Sequence, residues 1–138
     1  MRLGRFITAQ SGSYATALAE LRQGRKVTHW MWFIFPQLAA LGRSPMAQRY
    51  GIAGLAEARA YLADPVLGPR LHEAARAVLA HPELGAEQIF GPLDALKLRS
   101  SATLFEAAGG GPEFTAILDR LYAKSRCPRT LATIGAAP

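Results

Sequence analysis

Proline sits repeatedly where a helix is about to begin, and this pattern limits the fold more than any other feature of the chain. Ser44-Pro45 and Asp64-Pro65 each pair an N-cap residue with proline, and Pro92 and Pro112 each precede a long helical pattern. At the first helical position the missing proline N–H costs nothing, because that group has no intrahelical partner anyway. Proline in a central strand would instead remove a ladder hydrogen bond. The chain is therefore expected to be all-α.

The segments between these markers agree. From Ser13 to Gln23, Tyr14, Ala17, Leu18 and Leu21 fall at i, i+3, i+4 and i+7, and Gly24 follows as a stop. Trp30-Met31-Trp32-Phe33-Ile34-Phe35 is continuously apolar between a possible N-cap, Thr28, and Pro36. Periodicity alone leaves it a buried strand or a buried helix. No second convincing strand exists to pair with it, which favours a helix. Pro45 opens a short helix that Gly51 would end, and Leu55 to Ala63 forms the next. The segment from Asp64 carries Leu67, Leu71, Ala74, Val78 and Leu79 towards His81-Pro82, with Pro69 as a possible break. Ala86 to Phe90 is short, Pro92 runs to about Ala108, and Pro112 begins a helix with Phe114, Ile117, Leu118 and Leu121 on one face. Signals weaken from Lys124 onward. No repeat and no linker divides the chain, so residues 1–138 are expected to form a single domain of about seven helices.

With 138 residues, half of them hydrophobic, the chain can build a core of its own. No apolar run approaches the roughly 18 residues needed to cross a bilayer, and Met1-Arg2-Leu3-Gly4-Arg5 is not followed by a signal-peptide core. The expected location is the cytoplasm, without membrane attachment. Cys127 is the single cysteine, so an intramolecular disulfide is excluded and an inert thiol on a C-terminal loop is expected. His72 and His81 lack acidic companions at metal-ligand spacing, and no cofactor or metal is expected. The net charge of +6 favours anionic partners. The basic residues are scattered, however, with no helix-turn-helix signature, which makes nucleic acid an unlikely partner.

Two constellations carry candidate chemistry. Advancing by 100° per residue from Leu93, the helix after Pro92 places Leu104 at about 20° and Phe105 and Leu98 at about 120° and 140°. Lys97, Ser101 and Asp94 fall between them, at about 40°, 80° and 100°. Arg99, Thr103 and Glu106 lie on the far side, read as the solvent face. A polar row between apolar flanks implies pairing, a polar cavity or a ligand. The plain reading is an Asp94–Lys97 ion pair with Ser101 bonded to the preceding turn. The functional reading makes Lys97 an anion holder or a base and Ser101 a donor.

The second constellation runs from Lys26 through His29, Trp30 and Trp32 to Gln37. His29 is expected beside the aromatic wall as a base or acceptor, or as a satisfied core histidine. Trp30 and Trp32 are expected to pack in the core, with base stacking as the alternative. No phosphate-binding glycine loop, zinc-protease helix or nucleophile elbow is present.

At these constellations the chain resembles the bacterial family catalogued as domain of unknown function eighteen-ten, whose superfamily is defined by a mycobacterial member. The matching stretches are Gly24-Arg25-Lys26, His29 through Gln37, Ser44-Pro45 to Tyr50-Gly51-Ile52, Glu57-Ala58 with Tyr61-Leu62, Pro65 through Gly68, and Ile89-Phe90-Gly91 to Phe105. The resemblance implies a mostly α-helical fold and brings no activity with it. Members sometimes carry the label calpastatin, which belongs to disordered inhibitors and does not suit a chain patterned for packing.

The sequence thus leads to two expectations. One is a cavity for an anionic or phosphorylated small molecule between the His29–Gln37 segment and the Pro92 helix, with His29, Gln37, Asp94, Lys97 and Ser101 as ligand-binding residues. The other is a non-enzymatic helical module for a protein partner or nucleic acid. Whether the chain is an enzyme, and its oligomeric state, stay open at this point.

Overall fold

A computed structural model describes residues 2–135. Among the described residues there are ten α-helices: α1 Gly4–Ser11, α2 Tyr14–Gln23, α3 Met31–Ile34, α4 Pro45–Arg49, α5 Leu55–Ala63, α6 Leu67–Leu79, α7 Ala86–Phe90, α8 Pro92–Ala107, α9 Pro112–Leu121 and α10 Pro128–Ile134, with one 3₁₀ turn at Ala39–Leu41. The expected all-α class holds. The residual extended pairing is an isolated parallel bridge between Leu38 and Ile52. None of these helices is long and apolar enough to cross a membrane.

The local signals act as physics requires. Gly24, at φ +83°, closes α2 in the left-handed region that glycine enters without strain. The Ser44 side chain accepts a hydrogen bond from the Ala47 N–H, capping α4. Asp64 Oδ1 accepts from the Val66 and Leu67 N–H groups, so Pro65 lies in a preliminary turn and α6 begins two residues later. Pro69 falls in the first turn of α6 and does not divide it. Thr28 does not cap the Trp30 segment; Trp30 occupies the cap position and the Thr28 hydroxyl is used elsewhere.

α1 and α10 exceed the expected count of about seven. Both are short and poor in apolar periodicity: α1 buries Phe6 and Gln10 alone, and α10 buries Thr130 alone. Tertiary contacts hold them, as they do most short helices. Arg5 of α1 reaches the Arg49 and Gly51 carbonyls and pairs with Glu57 at 3.2 Å. Arg126, just before α10, pairs with Glu106 at 2.6 Å and Asp119 at 2.9 Å.

α8 lies at the centre, packed by α5, α7, α9 and α10. From Leu98 to Phe105 every residue except Arg99 is buried. Ser100, Ser101, Ala102 and Thr103 are small enough to admit neighbours from all sides, so the far face is not a solvent face. The Thr103 Oγ1 accepts from the Cys127 N–H at 3.0 Å, and Arg99 is bound by Ser125 and Arg126. Leu93, expected as an apolar flank, is instead 75% exposed, as is Leu96 at 59%. Around α8 the core is knitted by edge-on and tilted aromatic pairs, Phe6–Tyr61, Tyr61–Phe105 and Phe105–Phe114, at 5.1 to 5.8 Å. Trp30 and Phe35 both pack against Phe90, so Trp30 is a core residue.

Candidate functional site

The loop leaving α2 is organised by Glu20, whose carboxylate is buried and accepts four hydrogen bonds. Oε1 receives the Val27 N–H at 2.6 Å, the Thr28 N–H at 2.9 Å and Trp30 Nε1–H at 2.9 Å, and Oε2 receives the Thr28 hydroxyl at 2.6 Å. Burial alone would raise its pKa, but the donors from Thr28, Val27 and Trp30 outweigh burial and hold it at about 2. This fixes the loop so that Lys26 turns inward and His29 outward. His29 is exposed, not buried against the aromatic wall. The loop has spent its inward positions on Lys26 and Trp30.

Lys26 Nζ approaches Asp94 Oδ2 at 3.0 Å, and Lys97 Nζ approaches Asp94 Oδ1 at 3.3 Å. Asp94 therefore holds two ammonium groups, and each lies over an indole: Lys26 over Trp30 at 5.2 Å, Lys97 over Trp32 at 5.6 Å. The Lys26 side chain is 8% exposed and that of Lys97 32%, so Lys97 is the member of the triad that reaches outward. Ser101 does not bond to the preceding turn. Its hydroxyl is fully buried and has no hydrogen-bond partner among the described residues.

Lys97 opens onto a groove of about 420 Å³ between the Gln37–Leu41 stretch, the outer face of α8 and the start of α10. Gln37 is fixed there through its backbone, whose carbonyl accepts the Ile52 N–H at 2.8 Å in the isolated bridge. The walls carry Lys97, Arg99 and Arg129, apolar Leu41, Leu93, Leu96 and Pro128, and no carboxylate. Arg99 donates to neutral acceptors, the Ser125 carbonyl at 2.9 Å and the Arg126 carbonyl at 2.8 Å, which orient the guanidinium without cancelling its charge. Arg129 is exposed and makes no ion pair among the described residues.

Cys127 also lines this groove. It is the last loop residue before α10, at the N-cap position, so the thiol lies on a C-terminal loop as expected, but at 8% exposure it is buried there. Burial pushes the thiol pKa up, but the Ser100 and Thr130 hydroxyls and the Thr130 and Arg129 N–H groups outweigh this and lower it. Ser100 Oγ lies 3.4 Å from the sulfur.

Of the five residues singled out in the sequence, Gln37 and Lys97 line the groove, Asp94 positions Lys97, and His29 and Ser101 do not reach it. Arg99, Ser100, Cys127 and Arg129 were not singled out. Cys127-Pro128 repeats the cap-then-proline signal that marks α4, and would have located the last helix had cysteine been read as a cap.

The family profile described as a protein of unknown function, DUF1810, matches residues 1–134. No curated protein matches the chain. A crystal structure of the conserved hypothetical protein Rv1873 from Mycobacterium tuberculosis is similar at 48% identity, with a TM-score of 0.95 over 98% of this chain and 97% of that one. Matched along nearly its whole length, the chain belongs to the DUF1810 family, for which no function is known.

Proposed function

We propose that the groove between Gln37, α8 and the start of α10 binds a small anionic ligand, most simply one bearing a phosphoryl group. One observation carries the reading: three cationic side chains, Lys97, Arg99 and Arg129, line a groove that holds no carboxylate. Unlike a solvated surface, such a concave wall concentrates positive potential. Asp94 draws off part of the Lys97 charge and sets its position, while Arg99 is fixed by neutral carbonyls and Arg129 is free to close on a ligand. The volume suits a metabolite-sized molecule. The apolar residues on the walls suit a ligand with more body than a bare ion.

The test is thermal unfolding at low ionic strength with orthophosphate, sugar phosphates and nucleotides. A ligand at 100 times its dissociation constant stabilises by about 2.7 kcal/mol. Stabilisation lost in Lys97→Ala and Arg129→Ala, both still folded, is the expected result. Stabilisation retained in both variants, or absent from the whole panel, would reject the groove.

A second reading, a module that docks a protein partner, draws on exposed Leu93 and Leu96. Leu93→Lys and Leu96→Lys would then abolish partner capture and leave the response to small anions intact.

A further inference from the structure

A second groove, also of about 420 Å³, lies on the opposite flank of α8, and Leu96 and Arg99 line both. The two are chemically unlike. The first has three cations and no carboxylate, whereas the second has Arg99 as its single cation and Glu87 as its single carboxylate, with Gln88, Tyr122, Ser125 and Leu121 on its walls. Arg99 Nε and Nη2 are committed to Ser125 and Arg126, and its Nη1 donates to no group among the described residues. Two N–H donors of an oriented guanidinium that makes no ion pair among the described residues thus remain for an acceptor at the ridge between the grooves.

The second groove offers hydrogen-bonding groups of both kinds, the Glu87 carboxylate as an acceptor and the Gln88 amide as a donor, around an apolar ring surface. Gln88 Oε1 accepts the Gly85 N–H at 2.7 Å, which fixes the side-chain amide, and its two Nε2–H donors meet no acceptor among the described residues. The Tyr122 hydroxyl donates to the Ala95 carbonyl, so Tyr122 contributes its ring as an apolar wall. Ser125 adds a hydroxyl.

Building on the anion-groove reading, we infer that the natural ligand is a two-part molecule of the nucleoside phosphate class that spans the ridge. Its phosphoryl group meets Arg99, Lys97 and Arg129, and its base and sugar lie in the second groove against Tyr122 and Gln88. A ligand of this shape uses both free donors of the one cation common to the two grooves, which carbonyls orient and which makes no ion pair among the described residues, and it brings sugar hydroxyls to the Glu87 carboxylate.

Isothermal titration of the full chain tests this with orthophosphate, adenosine and the four common nucleoside monophosphates as probes. At least one monophosphate is expected to bind about tenfold or more tightly than orthophosphate, the gain of roughly one or two good hydrogen bonds. Gln88→Ala, an exposed change, should erase that gain and leave orthophosphate binding unaltered. Arg99→Gln should weaken both, with Arg129→Ala as the check if Arg99→Gln disturbs the C-terminal segment. Monophosphates binding no more tightly than orthophosphate, with Gln88→Ala silent, would overturn the two-part ligand and leave the anion groove standing. Binding of no phosphorylated probe, or binding indifferent to Lys97→Ala and Arg129→Ala, would overturn both. A single-stranded oligonucleotide binding far more tightly than every monophosphate would replace the free nucleotide by a nucleic-acid end.

Discussion

Glu20 offers the most direct test of how this fold is held, because its environment gives both a magnitude and a pH window. Its carboxyl falls from an ordinary 4.5 to about 2, and at about 1.4 kcal/mol per pH unit the interval corresponds to about 3 kcal/mol favouring the ionised, folded form. The side chain is buried and its four donors are all internal, so solvent screening removes little of this. A group whose pKa is depressed on folding contributes fully above its unfolded value and loses that contribution as pH falls through the folded one. The stability supplied by Glu20 should therefore be complete above about pH 5 and should disappear towards pH 2. In Glu20→Gln the amide oxygen can still accept from Trp30 and the backbone, but without charge, and a cost of about 2 kcal/mol is expected at pH 7. Glu20→Ala leaves the Trp30 Nε1–H and two backbone N–H groups unpaired and should cost about 3 to 4 kcal/mol. Urea unfolding followed by tryptophan fluorescence at several pH values between 7 and 2.5 measures both variants against the native chain. The gap between native and Glu20→Gln should close as pH falls. A gap that stays constant across that range, or one below about 0.5 kcal/mol at pH 7, would show that the four hydrogen bonds do not hold the ionised carboxylate as argued.

The Arg5–Glu57 pair is similarly enclosed, with side chains 10% and 9% exposed; Arg5→Met strands the Glu57 carboxylate and should cost about 3 kcal/mol in urea unfolding, and a loss within error would contradict the pairing. A Cβ on Gly68 would lie 2.2 Å from the Leu62 carbonyl oxygen, with backbone on both sides of the clash, so Gly68→Ala should destabilise by about 2 kcal/mol by forcing α5 and α6 apart; an unchanged denaturation midpoint would refute the close approach. Ser100→Ala removes a hydroxyl that lowers the Cys127 thiol pKa, so the midpoint of the pH dependence of iodoacetamide labelling should rise in the variant, and an unmoved midpoint would remove Ser100 from the thiol's environment.

The sequence makes local structure legible where a residue acts on its own neighbours. Ser44-Pro45 caps the helix it precedes, and α5 spans Leu55–Ala63 as its pattern predicts, because cap and periodicity are settled within one or two turns. The Asp94–Lys97 contact is of the same kind, an i, i+3 pair readable from spacing alone. The groove is not readable in this way. Arg99 looked solvent-facing because a helical wheel knows only its own axis, whereas the partners that orient Arg99 lie 26 and 27 residues further along. Thr103 is buried for the same reason, its cover arriving with Cys127.

His29 shows the complementary limit. Its place in an aromatic stretch argued for burial, yet one carboxylate, Glu20, gathers Val27, Thr28 and Trp30 around itself and thereby decides which loop residues turn inward. The geometry that sends Trp30 into the core sends His29 to solvent. Glu20 was itself hidden in the sequence, because on the α2 pattern it reads as one more polar residue between Leu18 and Leu21. A buried carboxylate within a helix is an expense that a chain keeps only when enough donors converge on it, and here those donors come from the loop that follows. Sites built by such convergence, as at Glu20 and at Arg99, are set by where distant backbone groups arrive, and a reading confined to one helix at a time will place their polar residues on the wrong side.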